Sequence, residues 1–201
     1  MVSPIGLPYS DASFDYVHLR FLALDVPATQ WQHVIAELFR VCKPGGWVEV
    51  CETDGMVRQP SPASEIVNGW MSHVAAEDGV LLQDVGTLDA LMARTGFSDV
   101  NVRGLRYPLG DWAGAVGTVK YRVYRGVVEA NRARVLSCVD ITDEQLDHML
   151  EEQADSLEQH QSHVMHYVYT AQRPINSSVL ALPFIAPGSS PTARSSHLGP
   201  R

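Results

Sequence analysis

The chain is poor in cysteine, in positive charge and in long apolar runs, and each shortage closes off a class of function. Cys42, Cys51 and Cys138 are its three cysteines. Without a C-x-x-C spacing they supply neither a disulfide framework nor a zinc site, and their apolar flanks predict buried thiols. Lys and Arg number 15 against 23 Asp and Glu, for a formal net charge of -8. The basic residues are scattered, so the phosphate contacts that drive nucleic-acid affinity have no surface to form on, and no nucleic-acid partner is expected. Apolar stretches stay well short of the run of about 20 residues that a membrane-spanning helix needs, so no membrane association is expected. Met1-Val2-Ser3-Pro4 offers neither the basic nor the apolar part of a secretory signal, which makes the reducing cytoplasm the expected compartment.

With 201 residues, 45% of them hydrophobic and 19% charged, the chain can bury one sizeable core. Phe14, Tyr16, Val17, Leu19, Phe21 and Leu22 form an almost unbroken apolar run behind the turn-forming Ser10-Asp11-Ala12-Ser13, predicting a buried, parallel strand over 14–24. Trp31, Val34, Ile35, Leu38, Phe39 and Cys42 recur at helical spacing, with Thr29 and Gln32 in capping-box positions. Pro44-Gly45-Gly46 then turns the chain into the strand Trp47-Val48-Glu49-Val50-Cys51. Strand, helix, turn and strand in this order make a right-handed βαβ unit with parallel strands.

Further helices are predicted from Ile66, Val67, Trp70, Met71 and Val74, from Leu88, Leu91 and Met92 with Gly96 as the closing residue, and over 115–136 around Val116, Val119, Val123, Val127 and Val128. Another starts at a Thr142/Gln145 capping box and runs through Leu146, Met149, Leu150 and Leu157. Strands are predicted over 99–107 and 164–171, paired antiparallel. Beyond Pro174 the composition shifts to Ser, Pro, Gly and Ala. Residues 1–174 therefore read as one domain and 175–201 as a disordered tail, with an apolar patch at 179–185.

Leu7-Pro8-Tyr9-Ser10-Asp11-Ala12-Ser13-Phe14-Asp15-Tyr16-Val17 resembles the segment before and along the fourth strand of the class I S-adenosylmethionine-dependent methyltransferases. Glu37-Leu38-Phe39-Arg40-Val41-Cys42-Lys43-Pro44-Gly45-Gly46-Trp47-Val48-Glu49-Val50 is similar to that family's L-R-V-L-K-P-G-G helix, turn and fifth strand. Gly96-Phe97-Ser98-Asp99-Val100 is similar to the G-F-x-x-V start of its sixth strand, and Pro108-Leu109-Gly110-Asp111-Trp112 resembles a subgroup related to fungal secondary-metabolism methyltransferases. The resemblance implies an α/β, Rossmann-like sheet ordered three, two, one, four, five, seven, six, with the seventh strand antiparallel. This chain would hold strands four to seven and a helical insertion. The implied activity is methyl transfer from S-adenosylmethionine to a small-molecule acceptor.

The family grips its cofactor with a glycine-rich loop after the first strand, where glycine lets the backbone approach closely. No G-x-G-x-G occurs in this chain, and the acidic residue that usually holds the ribose has no counterpart. Ser3 stands where the family often has an Asp near the adenine. His18, Leu19 and Arg20 are the family-matched positions facing the cofactor's methionine end or the acceptor. Glu52 and Asp54 are the nearest carboxylates on the acceptor side, able to take the acceptor's proton. Each also has a structural reading: His18 as a core histidine, Arg20 as an ion pair at the sheet rim, Glu52 and Asp54 as polar strand-end residues. His160, His163 and His166 share a spacing that suits one helix face, but the chain there is changing from helix to strand, and no metal is expected. Two functions stay open. One is a methyltransferase; the other is a noncatalytic remnant or interaction module whose sheet edge, left free by the missing strands, pairs with a second copy or another chain.

Overall fold

The computed structural model describes residues 6–176. Ser3, and nearly all of the expected tail with its 179–185 patch, lie outside the described residues. Strand β1 (Phe14–Arg20), helix α1 (Trp31–Val41) and strand β2 (Cys42–Arg58) form the βαβ unit. The two strands pair parallel, with Tyr16 opposite Trp47 and Arg20 opposite Cys51. Val34, Ile35, Leu38 and Phe39 make the buried stripe of α1. The expected Thr29 capping box does not form: Thr29 lies inside a single 3-10 turn, Ala28–Gln30, and α1 begins only at Trp31 with no side-chain cap.

At the start of β2, just past α1, the chain needs glycine for two reasons. Gly45 has φ +83, the left-handed region, and a Cβ at Gly46 would sit 2.8 Å from the Asp15 carbonyl oxygen and 2.9 Å from Cys42 Sγ. The turn is therefore a packing feature that seats the end of α1 against the start of β1.

Helix α2 (Pro62–Glu77) is capped by Ser61, whose hydroxyl accepts the Ser64 N–H at 3.1 Å. Helix α3 (Leu88–Thr95) ends as expected at Gly96, φ +109, and Phe97 folds back so that its ring meets Phe39 edge-on at 4.9 Å. Strand β3 (Ser98–Pro108) follows. The expected continuous helix over 115–136 is instead two, α4 (Gly114–Ala130) and α5 (Arg132–Cys138). Asn131 makes the break: its backbone N–H reaches the Val128 carbonyl at 3.0 Å and its side-chain amide donates to the Val127 carbonyl at 2.9 Å. The buried seam of α4 is Gly117, Tyr124 and Val128, so Val116, Val119 and Val123 face outward, each more than half exposed.

Helix α6 (Asp143–His160) carries the expected capping box. The Gln145 N–H donates to Thr142 Oγ1 at 3.2 Å and the Thr142 N–H donates to Gln145 Oε1 at 2.8 Å. Thr142→Ala is expected to cost about 1 kcal/mol and Thr142→Ser almost nothing, read as the shift in urea midpoint. Equal midpoints for Thr142→Ala and the parent chain would show that the cap adds nothing to stability.

Strand β4 (His163–Gln172) completes a four-stranded sheet in the order β1-β2-β4-β3. It runs antiparallel to both neighbours, with Val50 opposite Tyr169 on one side and Val102 opposite Tyr169 on the other. This α/β sheet has the order four, five, seven, six, with the seventh strand reversed, that the resemblance implies.

Helices α1 and α3 cover one face of the sheet around Ile35, Phe39, Val48, Val50, Met92 and Tyr169. Helices α2, α4, α5 and α6 build a second core that meets only the sheet's end, at Val57, Val164 and Leu109. Among the described residues, the rest of the second face stays open. Along β2, Val48, Val50, Glu52 and Asp54 are buried, whereas Trp47 is 41% exposed and Glu49, Cys51 and Thr53 are partly exposed. The expectation of a buried first strand is overturned for the same reason. Within β1 only Leu19 is buried and Tyr16 is 54% exposed, because among the described residues β1 pairs on one side alone and no helix lies over its outer face.

Candidate functional site

Parallel strands end where ligands enter an α/β sheet, because the connections leave a crevice beyond their carboxyl ends. Here that place is the end of β1 and the Cys51–Asp54 stretch of β2. Phe21 adopts the left-handed conformation, φ +57, and its N–H donates to the Cys51 carbonyl at 3.0 Å. The chain then swings off the sheet through Leu22 and Ala23.

Strand alternation splits the three consecutive sequence candidates. His18 and Arg20 lie on the open face, while Leu19 packs into the α1 core. His18 Nδ1 is 3.1 Å from Glu49 Oε1, and its ring stacks along Tyr16 with centroids 6.5 Å apart. The Arg20 guanidinium lies 5.0 Å above the Phe21 ring.

Of the three carboxylates on β2, the two sequence candidates, Glu52 and Asp54, turn toward the packed side and hold backbone. Glu52, fully buried, accepts the Leu22 N–H at 2.8 Å and the Ala23 N–H at 3.1 Å. Burial pushes its carboxyl up to about 7, against the opposing pull of those hydrogen bonds. Asp54 accepts the Met56 N–H at 2.9 Å and pairs with Arg58. It sits in an irregular stretch where β2 has four steps, Thr53 to Val57, against two on β4, His166 to Val164.

A different set of side chains meets on the open face at the same end of the sheet. His166 of β4, buried to 6% exposure, receives the Lys120 ammonium of α4 at its Nε2, 2.5 Å away. The Tyr107 ring of β3 lies 4.6 Å from the His166 ring, the Phe21 ring meets it edge-on at 5.2 Å, and Lys120 Nζ stands 5.5 Å over Tyr107. Burial pushes the imidazole down to about 4, helped by the charge of Lys120, and burial likewise lowers the Lys120 ammonium. The Cys51 thiol is pushed up by burial and by the charges of Glu49 and Glu52, against the opposing pull of Arg20 and Lys120. Lys120 gave no signal in the sequence. His166 was visible only as a member of the histidine trio, which the structure divides, with His160 ending α6 and the other two on β4.

A second feature lies along the free edge of β1: a groove of about 440 Å³ lined by Leu7, Tyr9, Phe14, Tyr16, Leu22 and Val41, among others. Leu7 is held there by its N–H to Glu37 at 2.8 Å, and Arg40 donates to Tyr9 and Leu7 carbonyls and to Asp11.

A family model described as a methyltransferase domain matches residues 3–50. No curated protein matches the chain by sequence. Among solved structures, the chain is similar to a Haemonchus contortus phosphoethanolamine N-methyltransferase 2 in complex with phosphomonomethylethanolamine and S-adenosylhomocysteine, at 16% identity and a TM-score of 0.45, over 83% of this chain and 35% of that one. It is also similar to a geranyl diphosphate methyltransferase in complex with SAM, at 14% identity and a TM-score of 0.43, over 84% of this chain and 54% of that one. The [4+2]-cyclase SpnF aligns at 17% identity and a TM-score of 0.39, over 87% of this chain and 56% of that one. The chain thus spans from about a third to just over half the length of these proteins. Through the match of residues 3–50 and its sheet order, the chain resembles the class I S-adenosylmethionine-dependent methyltransferases.

Proposed function

We propose that this chain forms the acceptor side of an S-adenosylmethionine-dependent methyltransferase acting on a small molecule in the reducing cytoplasm. The observation that carries the reading is the sheet itself: two parallel strands, β1 and β2, followed outward by an antiparallel β4 and then β3. That order places an open rim at the carboxyl ends of β1 and β2. The three free cysteines suit the compartment.

The residues present fit one wall of a cofactor site. His18 and Arg20 stand on the open face beside the β1 terminus, Leu19 sets the strand's position through the core, and Glu52 fixes the Leu22–Ala23 turn that borders the rim. Ser3 belongs to the same reading through its sequence position alone. The glycine-rich G-x-G-x-G turn of the opposite wall does not occur among these 201 residues. When bound, S-adenosylmethionine supplies an electrophilic methyl group. The part left to this chain is to hold the acceptor in line and exclude water, from which most of the rate in such a transfer derives. Asp54, committed to Met56 and Arg58, keeps the far side of the rim in shape.

Calorimetric titration of the chain with S-adenosylmethionine and with S-adenosylhomocysteine tests this. With one wall present, weak but saturable heat is expected from both. An absence of heat into the millimolar range, with the chain folded by circular dichroism, removes cofactor binding from this polypeptide.

One observation favours a second reading. The free edge of β1, with its apolar groove and open face, is a template for a further strand, so pairing with a second copy is its expected behaviour in the absence of another partner. Sedimentation that does not change with concentration would rule out that self-pairing.

A further inference from the structure

Lys120 is a partly buried ammonium to which no described carboxylate is paired, whereas Arg40, Arg58, Arg132 and Arg134 all have one. A cation drawn out of water without a counter-ion is costly. Its one close polar contact among the described residues is the neutral imidazole of His166. That contact uses one of the three ammonium hydrogens and fixes Nζ in place, leaving two hydrogens to donate.

The surroundings specify what those hydrogens can take. From β3 comes the Tyr107 ring, from the end of β1 the Phe21 ring and the Arg20 guanidinium, from β2 the Cys51 thiol, and from β4 His166. Of the two cations that bear on Cys51, Arg20 and Lys120, opposed there by Glu49 and Glu52, Lys120 is the half-buried one and has no described carboxylate beside it. The Tyr107 and His166 rings flank the ammonium, and the Phe21 ring packs edge-on against His166. We propose that Lys120 is the anion-binding group of the acceptor subsite, and that the ligand is a flat aromatic acid whose anionic oxygen meets Lys120 while its ring packs against Phe21 and Tyr107. His166 is the positioning residue, holding the ammonium through its hydrogen bond. The inference rests on the methyltransferase reading only in naming the ligand as acceptor; binding of the anion needs no cofactor.

The test is titration of the whole chain with benzoate, without cofactor, followed through the ring signals of Tyr107 and His166 by NMR. A saturable shift is expected. Lys120→Met weakens it at least about tenfold, the size of one lost charge-assisted hydrogen bond. Lys120→Arg retains most of the affinity, and neutral benzamide binds the parent chain more weakly than benzoate does. Circular dichroism and urea unfolding of Lys120→Met show whether the fold is intact, and Lys120→Arg reports on the charge where Met disturbs it. The proposal is overturned by an absence of saturable shift in the folded parent chain, or by equal benzoate affinity in Lys120→Met. If the S-adenosylmethionine titration fails while Lys120-dependent benzoate binding persists, the methyltransferase reading falls and the anion site stands. The reverse result overturns the anion site alone.

Discussion

Arg173→Leu is expected to lose about 3 kcal/mol or more of unfolding free energy, which for a domain of this size lowers the melting temperature by about 10 °C. Arg173 follows the last residue of β4 and is 2% exposed. Its Nη1 donates to the carbonyls of Phe39 at 3.0 Å, Arg40 at 3.2 Å and Cys42 at 2.7 Å, and its guanidinium lies 4.7 Å over the Phe39 ring. Those carbonyls belong to the C-terminal end of α1 and the residue beyond it, where a helix presents acceptors with no partner of its own and a partial negative charge. The backbone of Arg173 is tied as well, donating to the Gly46 carbonyl at 2.9 Å and accepting the Gly45 N–H at 2.7 Å. One side chain thus closes α1, the Gly45–Gly46 turn and β4 together. Leucine fills part of the volume but removes the side-chain donor from the buried carbonyls of Phe39 and Cys42, each a penalty of about 1–3 kcal/mol, while the Arg40 carbonyl keeps the Ala12 N–H. Arg173→Lys keeps the charge without the planar fork and is expected to fall between the two. Urea denaturation measures the series, and a loss below about 1 kcal/mol for Arg173→Leu would mean that this lock carries no weight.

The role of Arg173 shows why part of the structure was legible in the sequence and part was not. Local signals carried well. The apolar run of β1, the periodic stripe of α1, Gly96 as a left-handed cap and the Thr142–Gln145 box all state their conformation within a few residues, and the structure has each of them. The sheet order followed from motif resemblance at Phe14, Lys43–Gly46 and Gly96–Val100. Faces were harder to read. The valines of α4 share a helical period with Gly117, Tyr124 and Val128, and sequence alone does not say which stripe meets the second core. Burial of β1 is not legible, because an apolar strand reads the same whether or not a neighbour covers it. Contacts between distant segments were invisible: Arg173 reaches Phe39 across 134 residues and Lys120 reaches His166 across 46. The sequence marks Glu52 and Asp54 as carboxylates near the rim, but strand alternation points them at backbone donors and Arg58, and leaves the rim's open face to Lys120 and His166.

Glu52 and His166 are expected to pull the stability of the chain in opposite directions over the same pH range. The carboxyl of Glu52 rises from 4.5 to about 7 in the folded state because it is buried. Between those values the folded chain holds a proton that the unfolded chain has released, so this group's contribution is complete below pH 4.5 and is lost as pH rises to about 7. The imidazole of His166 falls from 6.5 to about 4, again mainly through burial. There the unfolded chain holds the extra proton, so its contribution is complete above pH 6.5 and is lost as pH falls toward about 4. Each limb amounts to about 3 kcal/mol. Between pH 4.5 and 6.5 the two slopes cancel. His163, also lowered by burial, adds a rising slope shared by every variant, and the lowered carboxyls of Glu37 and Glu129 act only below 4.5. Differences between variants therefore isolate the two groups. Glu52→Gln loses one backbone acceptor at every pH, but its stability relative to the parent should improve by about 3 kcal/mol from pH 4.5 to 7. His166→Gln should lose its advantage over the parent by the same amount from pH 4 to 6.5. The two residues face opposite sides of the sheet, so the double variant should show the sum of the single effects. Urea unfolding of all four chains across this range checks the account. A Glu52→Gln curve parallel to the parent's would mean that the buried carboxyl titrates normally and that the turn at Leu22–Ala23 is held by an ordinary ionised carboxylate.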